Sequence, residues 1–340
     1  MKIMSPIIPV SEPDCQQQRW KNLLKSAVSD PQTLLNQLGL SPSQLPFEIG
    51  EATPFVMRVP QPFIDKMNYA DPNDPLLLQV LSQNAENQPI EGYTSDPLKE
   101  LDGETPGLLH KYHGRVLLIL ASACAVNCRY CFRRHFPYQD KTASGEQLAQ
   151  SIEYIRNSPS ISEVILSGGD PLIVNDQTLK NLLFQLESIP HIKRLRIHTR
   201  LPVVIPQRIT KKLCLLLASS RLQISMVLHI NHPNEIDVLL ADSIAPLKQA
   251  GVQLFNQSVL LKGINNQIET QTKLSEALFD VGIVPYYLHL LDKVAGAAHF
   301  DLEKAEAKAL LTAMRARLPG YLVPRLAAEI AGESSKTVIA

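Results

Sequence analysis

Six short apolar runs, Val116–Leu120, Val164–Leu166, Leu195–Ile197, Leu222–Leu228, Val252–Phe255 and Ile283–Leu288, alternate with stretches of helical period. Ser144 and Gln147 predict a capping box ahead of Leu148, Ile152 and Ile155. Leu179, Leu182, Leu183 and Leu186 recur at helical spacing, as do Leu213, Leu216 and Leu217. Leu239 and Leu240 with Leu247, then Leu274 with Leu278, continue the series. Strand–helix alternation of this kind gives a parallel sheet with helices outside. Six such units predict an α/β fold, a partial (β/α)6 barrel with its chemistry at the C-terminal strand ends.

The text before residue 110 differs. Pro42, Pro46, Pro54, Pro60, Pro62, Pro72, Pro75, Pro89, Pro97 and Pro106 fix many φ angles. They predict a turn-rich, irregular arm with short helices around Trp20, Leu23, Leu24 and Val28 and over Leu76–Leu81. The expected division is an arm over 1–109, a barrel over 110–330 and a C-terminal loop over 331–340.

Charge narrows the function classes. The 33 basic and 33 acidic residues give a formal net charge of zero, which argues against a nucleic-acid partner. The basic run Lys193-Arg194-Leu195-Arg196 alternates with Leu195 and Ile197 and predicts a strand with a solvated edge. No uninterrupted apolar stretch is long enough for a bilayer, and the opening residues lack an apolar core of signal length, so a cytoplasmic location is expected.

The loop after the first predicted strand reads Cys124-Ala-Val-Asn-Cys128-Arg-Tyr130-Cys131. Three thiols at this spacing can grip three corners of a four-iron cubane and leave the fourth iron open to a small molecule, whereas a ferredoxin fills every site with cysteine. The alternative is a zinc site completed by His113 or His135; the other cysteines, Cys15 and Cys214, are isolated. Later strands also end in polar text. Ser167-Gly168-Gly169-Asp170-Pro171 allows backbone amides to approach a ligand closely. Ile197-His-Thr-Arg200, His229-Ile-Asn-His232, Asn256-Gln257-Ser258 and Tyr286-Tyr-Leu-His-Leu-Leu-Asp292 would converge at the same rim.

Spacing Cys-x3-Cys-x2-Cys with an aromatic before the last cysteine resembles the radical S-adenosylmethionine (SAM) superfamily. The resemblance narrows over Lys111-Tyr-His-Gly-Arg115-Val, Phe132-Arg133-Arg134, Ser167-Gly-Gly-Asp-Pro-Leu172, Arg196-Ile-His-Thr-Arg200, Asn231-His-Pro-Asn-Glu235 and Asn256-Gln-Ser-Val-Leu-Leu261. These look like the lysine 2,3-aminomutase family. Arg58-Val-Pro-x-x-Phe-Ile-Asp65, Pro106-Gly-Leu-Leu-His-Lys111, Arg133-Arg-His-Phe-Pro137 and Gly296-Ala-Ala-His-Phe300 resemble its shorter bacterial branch, which makes (R)-β-lysine for attachment to elongation factor P.

The resemblance implies a 4Fe-4S cluster on Cys124, Cys128 and Cys131, with SAM on its open iron. Gly168, Gly169, Asp170, His229 and Gln257 are the expected SAM contacts. It also implies pyridoxal 5′-phosphate (PLP) as a Schiff base on Lys336, with its phosphate on Lys111, Tyr112 and Arg115. Arg133 would bind the carboxylate of L-lysine, and Asp292 and Glu329 its ε-ammonium. Glu329 stands where the longer enzymes have aspartate, and the product's hand does not follow from that change. The C-terminal extension that carries zinc ligands in the longer enzymes is missing, so no zinc is expected. A reductase and the lysyl-ligase acting on elongation factor P are the implied functional partners. Competing readings are a mutase for glutamate or arginine and a non-catalytic iron–sulfur partner of the translation machinery. The acids at 292 and 329 count against glutamate, and the intact cysteines and Lys336 count against the second.

Overall fold

A computed structural model describes residues 13–50, 55–101, 107–138, 142–143 and 145–340. Its sheet follows chain order: β1 (Leu108–Tyr112), β2 (Arg115–Ala121), β3 (Glu163–Gly168), β4 (Arg194–Thr199), β5 (Gln223–His229), β6 (Gln253–Val259), β7 (Val284–His289), β8 (Arg325–Ala328) and β9 (Thr337–Val338). From β2 to β8 every neighbouring pair is parallel. Antiparallel strands β1 and β9 flank that stretch. The sheet stays open, but its two margins meet through side chains: Lys111 of β1 lies 3.5 Å from Glu329, the residue after β8.

The six expected runs coincide with β2 to β7. Alternation along each strand sorts the residues into two faces. On β4, Leu195 and Ile197 pack into the core, whereas Arg196 and His198 line a central cavity. On β5, Ile224, Met226 and Leu228 join that core, and His229 at the strand end turns to the cavity. Arg196 differs from the solvated edge expected of its basic run. Its guanidinium pairs with Glu163 on the neighbouring strand at 2.7 Å, so charge compensation lets it lie against the cavity floor.

Helices 176–187, 211–218 and 238–249 begin under side-chain caps from Asn175, Thr210 and Asp237. The helix Glu146–Arg156 buries Ile152 and Ile155 as its period requires. The capping box expected from Ser144 lies outside the described residues. Leu239 is a correction to the apolar pattern: it sits exposed in the first turn, and Leu240, Ile244 and Leu247 form the buried stripe instead.

The arm shares the barrel's core. Helix Pro13–Lys25 buries Trp20 in the same cluster as Ile155, Leu183 and Leu213. Leu76–Leu81 form turns rather than the expected helix, although Leu76, Leu77, Val80 and Leu81 are all fully buried. The Asp74 carboxylate accepts the amides of Leu76 and Leu77 at 2.9 and 2.8 Å, a local competitor to helical hydrogen bonding. At the other end, residues 329–336 form the tip of a hairpin between β8 and β9, so the late lysine is presented by the sheet itself.

Candidate active site

A cavity of about 600 Å³ opens at the C-terminal strand ends. Cys124, Cys128, Cys131, Arg133, His229, Gln257, Asp292, Glu329 and Lys336 all line it, with Lys111, Tyr112 and Arg115. The strands therefore bring every expected site residue to one space, including groups more than 200 positions apart in sequence.

The cysteine loop leaves β2 and is clamped by the arm. Arg129 and Arg134 both pair with the buried Glu86, and Asn127 donates its amide to Arg58 at 3.2 Å. Burial, then the neighbouring thiols, push the Cys124 thiol well up; burial and Cys128 push Cys131 up to about 11. Thiols this close resist ionising together unless a cation joins them. Among the described residues, no three of His, Cys, Asp and Glu gather as ligands of one metal ion would. Three thiols from one loop, all lining the cavity, form a donor set that could hold three irons of a cluster. Arg200 donates to Cys128 Sγ at 2.7 Å and to Tyr130 Oη at 2.7 Å, and pairs with Glu235 at 2.9 Å. A guanidinium this well anchored places a fixed positive charge beside Cys128.

A line of alternating charges runs from that loop to the C-terminal hairpin. Arg133 meets Glu100 through Nε at 2.5 Å and Nη2 at 2.9 Å. Glu100 also accepts Lys111 Nζ at 3.0 Å; Lys111 reaches Glu329 at 3.5 Å, and Glu329 receives Lys336 Nζ at 2.8 Å. Burial would raise the Glu100 carboxyl, but the Arg133 charge and hydrogen bonds, with Lys111, bring it down to about 2. Burial likewise opposes ionisation of Glu329, and Lys336 then Lys111 outweigh it, so its carboxyl is lowered. Asp292 behaves oppositely. Burial first, and repulsion by Glu329 second, push it up to about 7. It is an acid short of a cation.

Arg115 stacks on Tyr112 at 4.7 Å and has no carboxylate partner among the described residues. Burial and then Glu329 hold the Tyr112 hydroxyl neutral. A free guanidinium fork and an ammonium beside an aromatic suit a phosphate dianion, and Lys336 at the same cavity suits its aldehyde. His198 adds a second sign of a missing ligand: its buried Nε2 has no hydrogen-bond partner among the described residues. Burial holds His198, His229 and His289 neutral, His229 at about 3.

Gly168, Gly169 and Asp170 all line the cavity. Two amides of this turn are used within the protein: Gly169 donates to Ala121 O and Asp170 to Ala123 O, both at 2.9 Å. A Cβ on Gly169 would meet Ala123 O at 2.4 Å, so glycine is required by backbone packing against the cysteine loop. The Asp170 carboxylate is also occupied, by Thr199 Oγ1 at 2.7 Å and the amides of Leu172, Arg200 and Leu201. It ties β3 to β4 beneath the cavity. His229 stacks on Tyr130 and shares a 2.9 Å hydrogen bond with its hydroxyl. Sequence reasoning missed Glu100 and the roles of Arg200 and His198. Arg200 and His198 stood in a strand-end phrase with other polar residues; Glu100 stood in aperiodic, Pro-rich text.

Known proteins match this sequence closely. The Radical SAM superfamily matches residues 118–267, which contain the cysteine loop and β3 to β6. L-lysine 2,3-aminomutase of Haemophilus influenzae is 50% identical over 335 residues, covering 98% of this chain and 99% of that one. That of Escherichia coli is 48% identical over 335 residues, covering 98% and 97%. That of Buchnera aphidicola is 45% identical over 322 residues, covering 94% and 95%.

The chain belongs to the lysine 2,3-aminomutase family.

Membership in a radical SAM family implies a 4Fe-4S cluster and SAM, and the matched span includes the three-cysteine loop. It also matches lengths: the lysine 2,3-aminomutases named above are covered almost end to end. Among the described residues, no helix is long and apolar enough to cross a membrane.

Proposed function

We propose that this chain is a PLP-dependent L-lysine 2,3-aminomutase, moving the α-amino group of L-lysine to Cβ and forming (R)-β-lysine. The supporting observation is the single cavity shared by Cys124, Cys128, Cys131 and Lys336. When bound, the cluster with SAM supplies a carbon radical able to take a hydrogen, and PLP supplies a carbonyl able to hold the migrating nitrogen.

The protein's part is placement. Cys124, Cys128 and Cys131 hold the cluster by three corners. Lys111 and Arg115 neutralise the PLP phosphate beside Tyr112, and Lys336 is the point of attachment. Arg133 receives the substrate carboxylate. Asp292, raised to about 7 by burial and then by Glu329, receives the ε-ammonium together with Glu329. His229 and Gln257 face SAM from the ends of β5 and β6. Gly168, Gly169 and Asp170, which line the same cavity, face SAM from the end of β3, and the Gly169 and Asp170 amides also hold the cysteine loop in place. We extend the reading to a cytoplasmic enzyme, reduced by a separate protein, whose product a lysyl-ligase attaches to elongation factor P.

The test is isotopic. Anaerobic turnover of L-lysine deuterated at Cβ should place deuterium in the 5′-deoxyadenosine recovered from SAM. Unlabelled 5′-deoxyadenosine formed at the same rate with and without lysine would overturn the reading.

A further inference from the structure

The arm contributes one charged side chain to the centre of the cavity. Glu100 is only 4% exposed, and both its oxygens are engaged by cations from other elements. Local structure holds it there: Asp96 accepts the amides of Glu100 and Leu101, each at 3.0 Å. The buried Leu98 anchors the same turn, and Lys99 adopts φ of 51°.

A guanidinium has two edges that each fit a carboxylate, one through Nε and Nη2 and one through Nη1 and Nη2. Glu100 takes the first. Phe132 lies against the guanidinium with its ring centroid 4.7 Å from Arg133 Cζ. On the second edge, the only hydrogen bond among the described residues is Nη1 to Ser167 Oγ, long at 3.3 Å. Arg133 lines the cavity, so the remaining fork is the one a ligand can meet.

We propose that Glu100 is a positioning residue for substrate recognition: it fixes Arg133 by one edge so that the other receives the substrate's carboxylate. This rests on the reading that Arg133 binds that carboxylate. Two consequences separate it from the opposite idea, that Glu100 competes with substrate for Arg133. Competition would require both carboxylates to use one edge, whereas the side-on pair leaves the end-on fork open. Removing Glu100 would also leave Arg133 and Lys111 without their shared anion, free to reorient in a half-dry site.

The experiment compares L-lysine with L-lysinamide, which lacks the carboxylate charge, on protein loaded with cluster and PLP but without SAM. Binding is followed by the change in PLP absorbance. The parent should prefer L-lysine by about tenfold or more, the size of a charge-assisted pair. Arg133→Gln should bring the two affinities together, and Glu100→Gln should do the same while cluster content stays at the parental level and PLP is supplied to saturation. Glu100→Asp, which keeps the charge, should retain an intermediate preference and serves if Glu100→Gln fails to fold. A parent or Arg133→Gln protein that departs from this pattern overturns the reading of Arg133 and the proposal with it. If both behave as expected but either Glu100 variant keeps the full preference, or binds L-lysine more tightly, Arg133 stands as the carboxylate site and the positioning role is wrong.

Discussion

The Lys336 ammonium stands 2.8 Å from the Glu329 carboxylate, across the hairpin that joins β8 to β9. This pairing explains why a lysine four residues from the last position is oriented: its partner projects from a strand end, and β9 anchors the chain just beyond it. Lys111 from β1 meets the same carboxylate, so the two margins of the open sheet are joined by charge at the cavity.

The cluster assignment predicts that replacing any one of Cys124, Cys128 or Cys131 by alanine abolishes the brown chromophore or SAM cleavage. Cys214→Ser should change neither, because Cys214 lies in a helix outside the cavity. Iron and sulfide analysis with absorbance checks both. Full SAM cleavage by Cys128→Ala would remove the assignment.

Lys336 should be the PLP attachment point. Borohydride reduction should fix PLP to the peptide containing Lys336, and Lys336→Ala should lose the PLP absorbance while keeping the cluster. Mass spectrometry placing the adduct on Lys262 or Lys293 would contradict the arrangement.

Neutralising either acid should leave the substrate ammonium less well paired in a partly dry site, a loss on the order of 2–5 kcal/mol in lysine binding. Asp292→Asn and Glu329→Gln should therefore weaken L-lysine far more than SAM or PLP. Titrations of the three ligands measure the contrast. Parental lysine binding by Glu329→Gln would leave that carboxylate a partner of Lys336 and Lys111 only, with no part in substrate recognition.

The raised Asp292 carboxyl makes two signed predictions. An arriving ammonium lowers that pKa, so binding releases a proton and lysine affinity should rise as pH climbs through about 7. For folding, the native pKa lies above the ordinary 3.8, so the native state holds a proton that the unfolded chain has lost between those values. Ligand-free protein should thus lose stability as pH rises over that window, on the order of 2–4 kcal/mol. Asp292→Asn should melt higher than the parent at pH about 8 and the same below pH about 4. A pH-independent difference in melting temperature would show that folding does not shift the Asp292 carboxyl.

Periodicity made β2 to β7 legible because each buries one face against helices and shows the other to the cavity. It could not show β8, whose Arg325-Leu-Ala-Ala328 is short and lacks β-branched residues, or the two-residue β9. The β1–β2 hairpin carried a signal, His113-Gly114 with φ of 77° at the glycine, that the apolar run beside it obscured. The cysteine loop was readable from spacing, since its function is written in consecutive residues. Glu100 was not: its role arises only when the arm folds over β1 and sets it between Arg133 and Lys111. The Gly-Gly turn was legible as part of the cavity wall, but its close packing against the cysteine loop was not, because glycine serves both purposes.

The most direct measurement is chiral analysis of the amino acids formed when reconstituted protein is incubated anaerobically with L-lysine, SAM, PLP and dithionite. The account predicts (R)-β-lysine, accumulating only when all four are present and absent with Lys336→Ala. Formation of (S)-β-lysine would contradict the proposed product, and SAM cleavage with no β-lysine at all would contradict the aminomutase reading itself.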